Sequence, residues 1–135
     1  MTIKLSHTFL LVRDQDEALK FYRDVLGLEV RTDVPFEGVR WLTVGPPGQP
    51  DVEIVLEVAA MGRAADQEAL ELLLAKGSLS GLIFLVDDVD ATFERVRAAG
   101  AEVMQEPIDQ PYGVRDCGVR DPSGNNIRFS QRLSA

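Results

Sequence analysis

The chain has 135 residues, 45% of them hydrophobic and 27% charged. That is enough to bury a core, and the interspersed signs of charge exclude disordered and fibrous classes. A net charge of −8, with no run of Lys and Arg among aromatics, excludes a phosphate-backbone partner, so no nucleic acid is expected. Cys117 is the single cysteine, which excludes an intrachain disulfide and a multi-cysteine metal cluster and fits a reducing compartment. The first apolar run is broken by Ser6 and His7 and ends at Arg13, so neither a signal peptide nor a membrane span is expected, and the expected location is cytoplasmic.

Residues 5–12 are apolar and rich in β-formers, predicting a strand, and Arg13, Asp14, Gln15 and Asp16 then turn the chain polar. Asp14 is placed to cap a helix, with Glu17 at capping-box spacing. Leu19, Tyr22 and Leu26 recur at helical intervals before Gly27 stops a helix near 15–26. Extended segments are predicted at about 28–34, 39–44 and 52–58, separated by Pro35, the turn at 45–48 and Pro50. The 45–48 stretch is a turn rather than a phosphate loop, because its two prolines lack the amide hydrogens that a phosphate cradle uses. Residues 64–77 predict an amphipathic linker helix, whose Leu70, Leu73 and Leu74 need cover from the chain's own sheet or from a second subunit.

The second half repeats the first. A strand at 82–86 leads to Asp88 as a cap, then Val89, Phe93 and Val96 on one helical face and Gly100 as the stop. Val12, Asp14 and Asp16 fall on Val86, Asp88 and Asp90 at a constant offset; after one deletion, Gly27, Glu29 and Val30 fall on Gly100, Glu102 and Val103. Strands near 101–105, 114–120 and 126–131 complete the second copy, with a turn through Asp121, Pro122, Ser123, Gly124 and Asn125 before the last. A duplication accounts for the pattern, giving an α+β chain of two βαβββ modules within one domain over 1–135, at about 4–58 and 80–131.

Three segments, SHTFLLVRDQDEALKFYRDVLGLEV, LIFLVDDVDATFERVRAAGAEV and VRDPSGNNIRF, resemble in order the signature segments of the vicinal-oxygen-chelate superfamily, which holds glyoxalases, bleomycin-resistance proteins and dioxygenases. The resemblance implies paired βαβββ modules whose curved mixed sheet wraps a ligand cup, and homodimerisation. It also implies, in metal-using members, a divalent ion held by His and Glu from the first and last strands of each module. His7 stands at the first of those positions. The repeat carries His7 onto Gly81, which has no side chain, and Arg128 stands where a Glu is expected; its guanidinium cannot ligate a cation. Matching Ile54 to Ile127 puts Val55 opposite Arg128, with Glu53 and Glu57 two residues to either side on the same strand face. At best His7 and one of Glu53 or Glu57 survive as ligands, so no cofactor is expected, and a divalent metal only under an enzymatic alternative.

The expectation is therefore a metal-independent cup that binds a small molecule and sequesters a drug or metabolite, with no membrane or nucleic-acid partner. The alternative is a lyase, isomerase or dioxygenase using a metal or a His7 and Arg128 pair, with His7 as general base and Arg128 stabilising an oxyanion. Whether the protein is an enzyme stays open at this point. Arg128 has two readings, an anchor for a ligand carboxylate, phosphate or carbonyl, or a structural pair with Glu53 or Glu57. His7 is either a base or a hydrogen-bonded structural residue. Cys117 is read as a small buried hydrophobe, with a nucleophile facing the cup as the other reading. Phe36, Trp41 and Tyr112 are placed to rim the cup or, for Trp41 above all, to join the core, and Gly113 marks a tight turn at the mouth.

Overall fold

The computed structural model describes residues 1–134, in two compact units that divide after Leu74. In the first, β1 (His7–Leu11), α1 (Gln15–Leu19), β2 (Glu29–Phe36), β3 (Val39–Gly45) and β4 (Glu53–Glu57) form a sheet in the order β1-β4-β3-β2, with β1 and β4 parallel. The second repeats it with β5 (Leu82–Leu85), α3 (Val89–Ala98), β6 (Glu102–Asp109), β7 (Val114–Arg120) and β8 (Asn126–Arg132) in the order β5-β8-β7-β6. Between the two sheets lie two 3₁₀ turns, Ala59–Met61 and Ala64–Asp66, and α2 (Gln67–Ala75). The predicted linker helix is thus shortened at both ends; Leu74 is buried, while Leu72 is exposed. Among the described residues no helix is long and apolar enough to cross a membrane.

Strand alternation divides each sheet into a core face and a far face. The core face of the first unit carries Leu10, Leu42, Val44, Ile54 and Leu56, and Leu19, Phe21 and Tyr22 of the helical segment are buried with them. That of the second carries Cys117, Val119, Ile127 and Phe129, covered by Val89, Phe93 and Val96 of α3, and Phe84 stacks on Phe129 at 6.0 Å. Each large side chain so buried contributes about 1.5–3 kcal/mol. Both helices begin as expected: Asp14 accepts the Glu17 amide at 2.8 Å and Asp88 the Ala91 amide at 3.0 Å. The capping box is only half made, since the Glu17 carboxylate turns to Arg13 at 2.7 Å.

The duplication extends to the ion pairs. Arg40 on β3 joins Asp16 in the first helical turn to Asp33 on β2, and Arg115 on β7 joins Asp90 in the first turn of α3 to Asp109 on β6. The bidentate grip is on the strand carboxylate in one unit and on the helix carboxylate in the other. These pairs hold both guanidinium pKa values above their ordinary value. Exposed to solvent, these pairs are screened and add little to stability.

Two strand ends run past their expected stops. β2 continues through Pro35 to Phe36, and β6 through Pro107 to Asp109. Both are edge strands with one neighbour, so a missing amide hydrogen costs no ladder bond on the open side.

The first helix departs most from expectation. It is α-helical only over Gln15–Leu19 and then widens into a π-helical turn at Lys20–Val25, where the Leu26 amide bonds the Phe21 carbonyl five positions back at 3.0 Å. α3 has no such turn. The single deletion needed to align the repeats is this extra residue, absorbed as a wider turn that keeps the flanking positions in phase and sends the consecutive Phe21 and Tyr22 both into the core. Deleting the exposed Asp24 should therefore let the helix close to a regular α-helix, at a cost of about 1–2 kcal/mol in urea unfolding. Deleting Glu94 from α3 should rotate the segment that follows it by about 100° per lost residue and cost about 3 kcal/mol or more.

Candidate functional site

The far face of the first unit gathers His7, Phe9, Trp41, Thr43, Glu53, Val55 and Glu57. β1 and β4 run side by side with His7 level with Glu53, and the His7 Nε2 lies 3.5 Å from Glu53 Oε2. The Thr43 hydroxyl donates to Glu53 Oε1 at 2.6 Å, fixing the carboxylate, and His7 Nδ1 is 2.9 Å from Ser6 Oγ. Glu57 is nearly buried and pairs with Arg63. Phe9 meets Trp41 edge to face, ring centroids 6.3 Å apart.

The far face of the second unit is built around one carboxylate. Asp116 is 3% exposed, and its Oδ1 accepts the side-chain amides of Gln105 and Gln110, each at 2.9 Å, and pairs with Arg128 Nη2 at 3.1 Å. The Tyr112 hydroxyl reaches Oδ2 at 3.2 Å. Arg128 Nη2 also donates to Gln105 Oε1 at 2.8 Å, so Arg128, Gln105 and Asp116 close a triangle. The strands impose this arrangement: Gly118 lies opposite Arg128 on β8 and Gln105 on β6, and Asp116 is diagonal to Arg128. A Cβ on Gly118 would sit 3.2 Å from Arg128 Nη1, so the glycine leaves room for the guanidinium. The turn before β8 is locked by Asp121, whose Oδ1 accepts the amides of Ser123, Gly124 and Asn125 at 2.9 Å each. Ile83 and Leu85 on β5 and Ile108 on β6 share this face and are exposed.

Several expectations are corrected. Arg128 pairs with Asp116 on the adjacent strand, while Glu53 is held by Thr43 and approached by His7, and Glu57 pairs with Arg63, each within its own unit. Cys117 does not face the cup side: alternation puts Asp116 there and turns Cys117 onto the core face, fully buried. Burial pushes its thiol up, which disfavours the thiolate that a nucleophile needs. Trp41 is half-buried against Phe9 on the far face rather than in the core, Phe36 is exposed at the end of β2, and Gly113 closes the tight turn that carries Tyr112.

Strand register also decides the metal-ligand positions. Thr8 pairs with Ile54 as Leu82 pairs with Ile127, so Val55 does occupy the place of Arg128. A Cβ on Gly81 would lie 1.8 Å from the Asn126 carbonyl oxygen, so no side chain fits there on this backbone. Among the described residues no group of three or more His, Cys, Asp or Glu converges to hold a metal ion. The residues that sequence reasoning missed are Asp116, Gln105, Gln110 and Thr43. The signal for Asp116 is a carboxylate inside a strand that alternation must half-bury, where a charge demands a partner.

Burial pushes the Asp116 carboxyl up, but the Gln110 and Gln105 amides and the Arg128 guanidinium outweigh it and hold it below the ordinary carboxylate range. A carboxyl lower in the folded than in the unfolded state stabilises fully above its unfolded value of about 4 and loses that contribution as pH falls through the folded value. Asp116→Asn should cost about 2 kcal/mol in urea unfolding at neutral pH, and the gap from wild type should shrink steadily below about pH 4.

Comparison with known proteins agrees with this geometry. The sequence model of the Glyoxalase/Bleomycin resistance protein/Dioxygenase superfamily matches residues 4–129. The crystal structure of UcmS2 superposes with a TM-score of 0.87 at 39% identity, covering 96% of this chain and 98% of that one. TnmS3, described as an antibiotic binding protein from Streptomyces sp. CB03234, superposes with a TM-score of 0.78 at 32% identity, covering 98% of both chains. A lactoylglutathione lyase of Neisseria meningitidis serogroup A is 33% identical over 98% of this chain and 93% of its own length. The duplicated βαβββ architecture and the match across both units together show that the chain belongs to the glyoxalase/bleomycin resistance protein/dioxygenase superfamily.

Proposed function

We propose that this protein binds a small organic molecule of the antibiotic or metabolite kind without a metal, and acts by sequestering it in the cytoplasm. The observation that carries this reading is the second unit's far face. There, where the superfamily's metal chemistry calls for donors, Gly81 has no space for a side chain and Arg128 brings a cation into a finished hydrogen-bonded cluster. The same face offers exposed apolar side chains beside oriented polar groups, the composition of a ligand-binding surface. Similarity to an antibiotic binding protein supports it.

The alternative is a lyase or isomerase, favoured by the 3.5 Å approach of His7 to Glu53 and by similarity to a lactoylglutathione lyase. Metal analysis and thermal shift separate the two. Zinc, nickel and cobalt should each move Tm by no more than about 1 °C, before and after chelation. Antibiotic-like aromatic compounds should instead raise Tm in a concentration-dependent way. Stoichiometric metal with a large stabilisation, lost in His7→Ala, would instead establish the enzyme.

The assembly this reading implies is a homodimer. Phe9 on β1 is 57% exposed and Ile83 and Leu85 on β5 are 72% and 58% exposed, on the edge strands of their sheets. Sedimentation equilibrium should give twice the chain mass of 14.9 kDa, and Ile83→Glu should shift the species toward the monomer.

A further inference from the structure

Arg128 first suggests a site for an anion, but its surroundings argue otherwise. A guanidinium grips a carboxylate or phosphate through two parallel N–H bonds, using either the side edge that begins at Nε or the end edge that begins at Nη1, and Nη2 completes both. In this chain Nη2 is occupied, by Gln105 Oε1 at 2.8 Å and by Asp116 Oδ1 at 3.1 Å. Both edges therefore run through a nitrogen that already donates to Gln105 and is crowded by the Asp116 carboxylate. The charge is compensated as well, because Asp116 lies ionised beside it, and a second anion would meet that carboxylate at close range.

What remains at the cluster is one donor region and one acceptor. Among the described residues Arg128 Nε and Nη1 have no hydrogen-bond partner, and Nη1 lies over Gly118, where there is no side chain to shield it. Asp116 uses Oδ1 for three contacts but Oδ2 only for the 3.2 Å bond from Tyr112, whose side chain sits 67% exposed on the 110–113 turn and can move aside. A buried carboxylate oxygen with a single long bond gains from a better donor.

We propose, building on the small-molecule reading above, that the second unit's far face selects neutral ligands presenting a carbonyl beside an N–H or O–H group, as in an amide, imide or hydroxy-ketone, and rejects carboxylates and phosphates. The ligand carbonyl accepts from Arg128 Nη1 or Nε, and its donor replaces the Tyr112 hydroxyl on Asp116 Oδ2. Ile108 provides apolar contact for the ligand's remaining surface.

The isosteric pair naphthamide and naphthoate tests this by calorimetry on the whole protein, since the two differ in charge and donor but scarcely in shape. Wild type should bind the amide at least about tenfold more tightly, a difference of about 1.4 kcal/mol. Asp116→Asn, which removes the competing charge and releases Nη2, should reverse the preference. Arg128→Met, with its fold checked by circular dichroism because it takes the cation away from Asp116, should weaken the amide about tenfold without rescuing the carboxylate. Equal or tighter binding of naphthoate by wild type overturns the inference while leaving a small-molecule binder in place. An amide affinity unchanged in Arg128→Met overturns it even if Asp116→Asn fails to fold. Failure of wild type to bind either probe overturns the small-molecule reading itself.

Discussion

Only one face of each four-stranded sheet can be covered by that unit's helix, and this constraint sorts every strand residue into one of two sets. In β8 the alternation sends Ile127 and Phe129 into the core and leaves Arg128 and Ser130 on the other side. In β4 it sends Ile54 and Leu56 inward and leaves Glu53, Val55 and Glu57 outward. A slip of one residue would exchange the two sets completely, burying Arg128 under α3 and exposing two large apolar side chains. The apolar burial that stabilises each unit is therefore also what aims its functional groups, and the Asp121 turn that feeds β8 holds the register from the other end.

Within that frame the two units have diverged in chemistry while keeping the same scaffold. Both retain the capping aspartate, the Arg linking helix to strands, and the stop glycines Gly27 and Gly100. On the far face, the position held by Thr43 in one unit is Gly118 in the other, and Trp41 is replaced by Asp116. The first unit accordingly presents an aromatic pair beside a histidine and a glutamate, and the second a buried carboxylate with an arginine and two amides. Asp116 is tolerable without water because every contact to it is a donor, and that same saturation decides how much of Arg128 is left over for a ligand.

Much of this was legible before any coordinates. The repeat, the capping residues and the glycine stops follow from local spacing, and so did the element order. The register that places Val55 in the role of Arg128 was accessible because the hydrophobic alternation of the two final strands could be superimposed. The π-helical turn was visible only as a deletion in the alignment of the halves, since periodicity over Leu19, Tyr22 and Leu26 does not distinguish a widened turn from a regular one. The contact between Arg128 and Asp116 escaped the sequence for a related reason. Sequence reasoning looked for a glutamate on another last strand, whereas the diagonal neighbour across β7 and β8 is fixed by antiparallel pairing that no local pattern specifies. Cys117 was ambiguous because Arg115 and Asp116 are adjacent on β7 and so lie on opposite faces, leaving the strand's parity to be set by knowing that the aspartate meets the glutamines.

Gly81 has a consequence for descent. Its backbone lies so close to Asn126 that any side chain arriving there by a single mutation would collide with a carbonyl oxygen. A lineage with this backbone cannot place a donor at that position by one substitution; β5 and β8 would first have to separate, and Asn126, which ties the loop carbonyls of Gly77 and Leu79, would have to change with them. The close approach works as a ratchet: variation at this end of the second sheet is confined to the residues around Gly81, while position 81 itself is held by the backbone it touches.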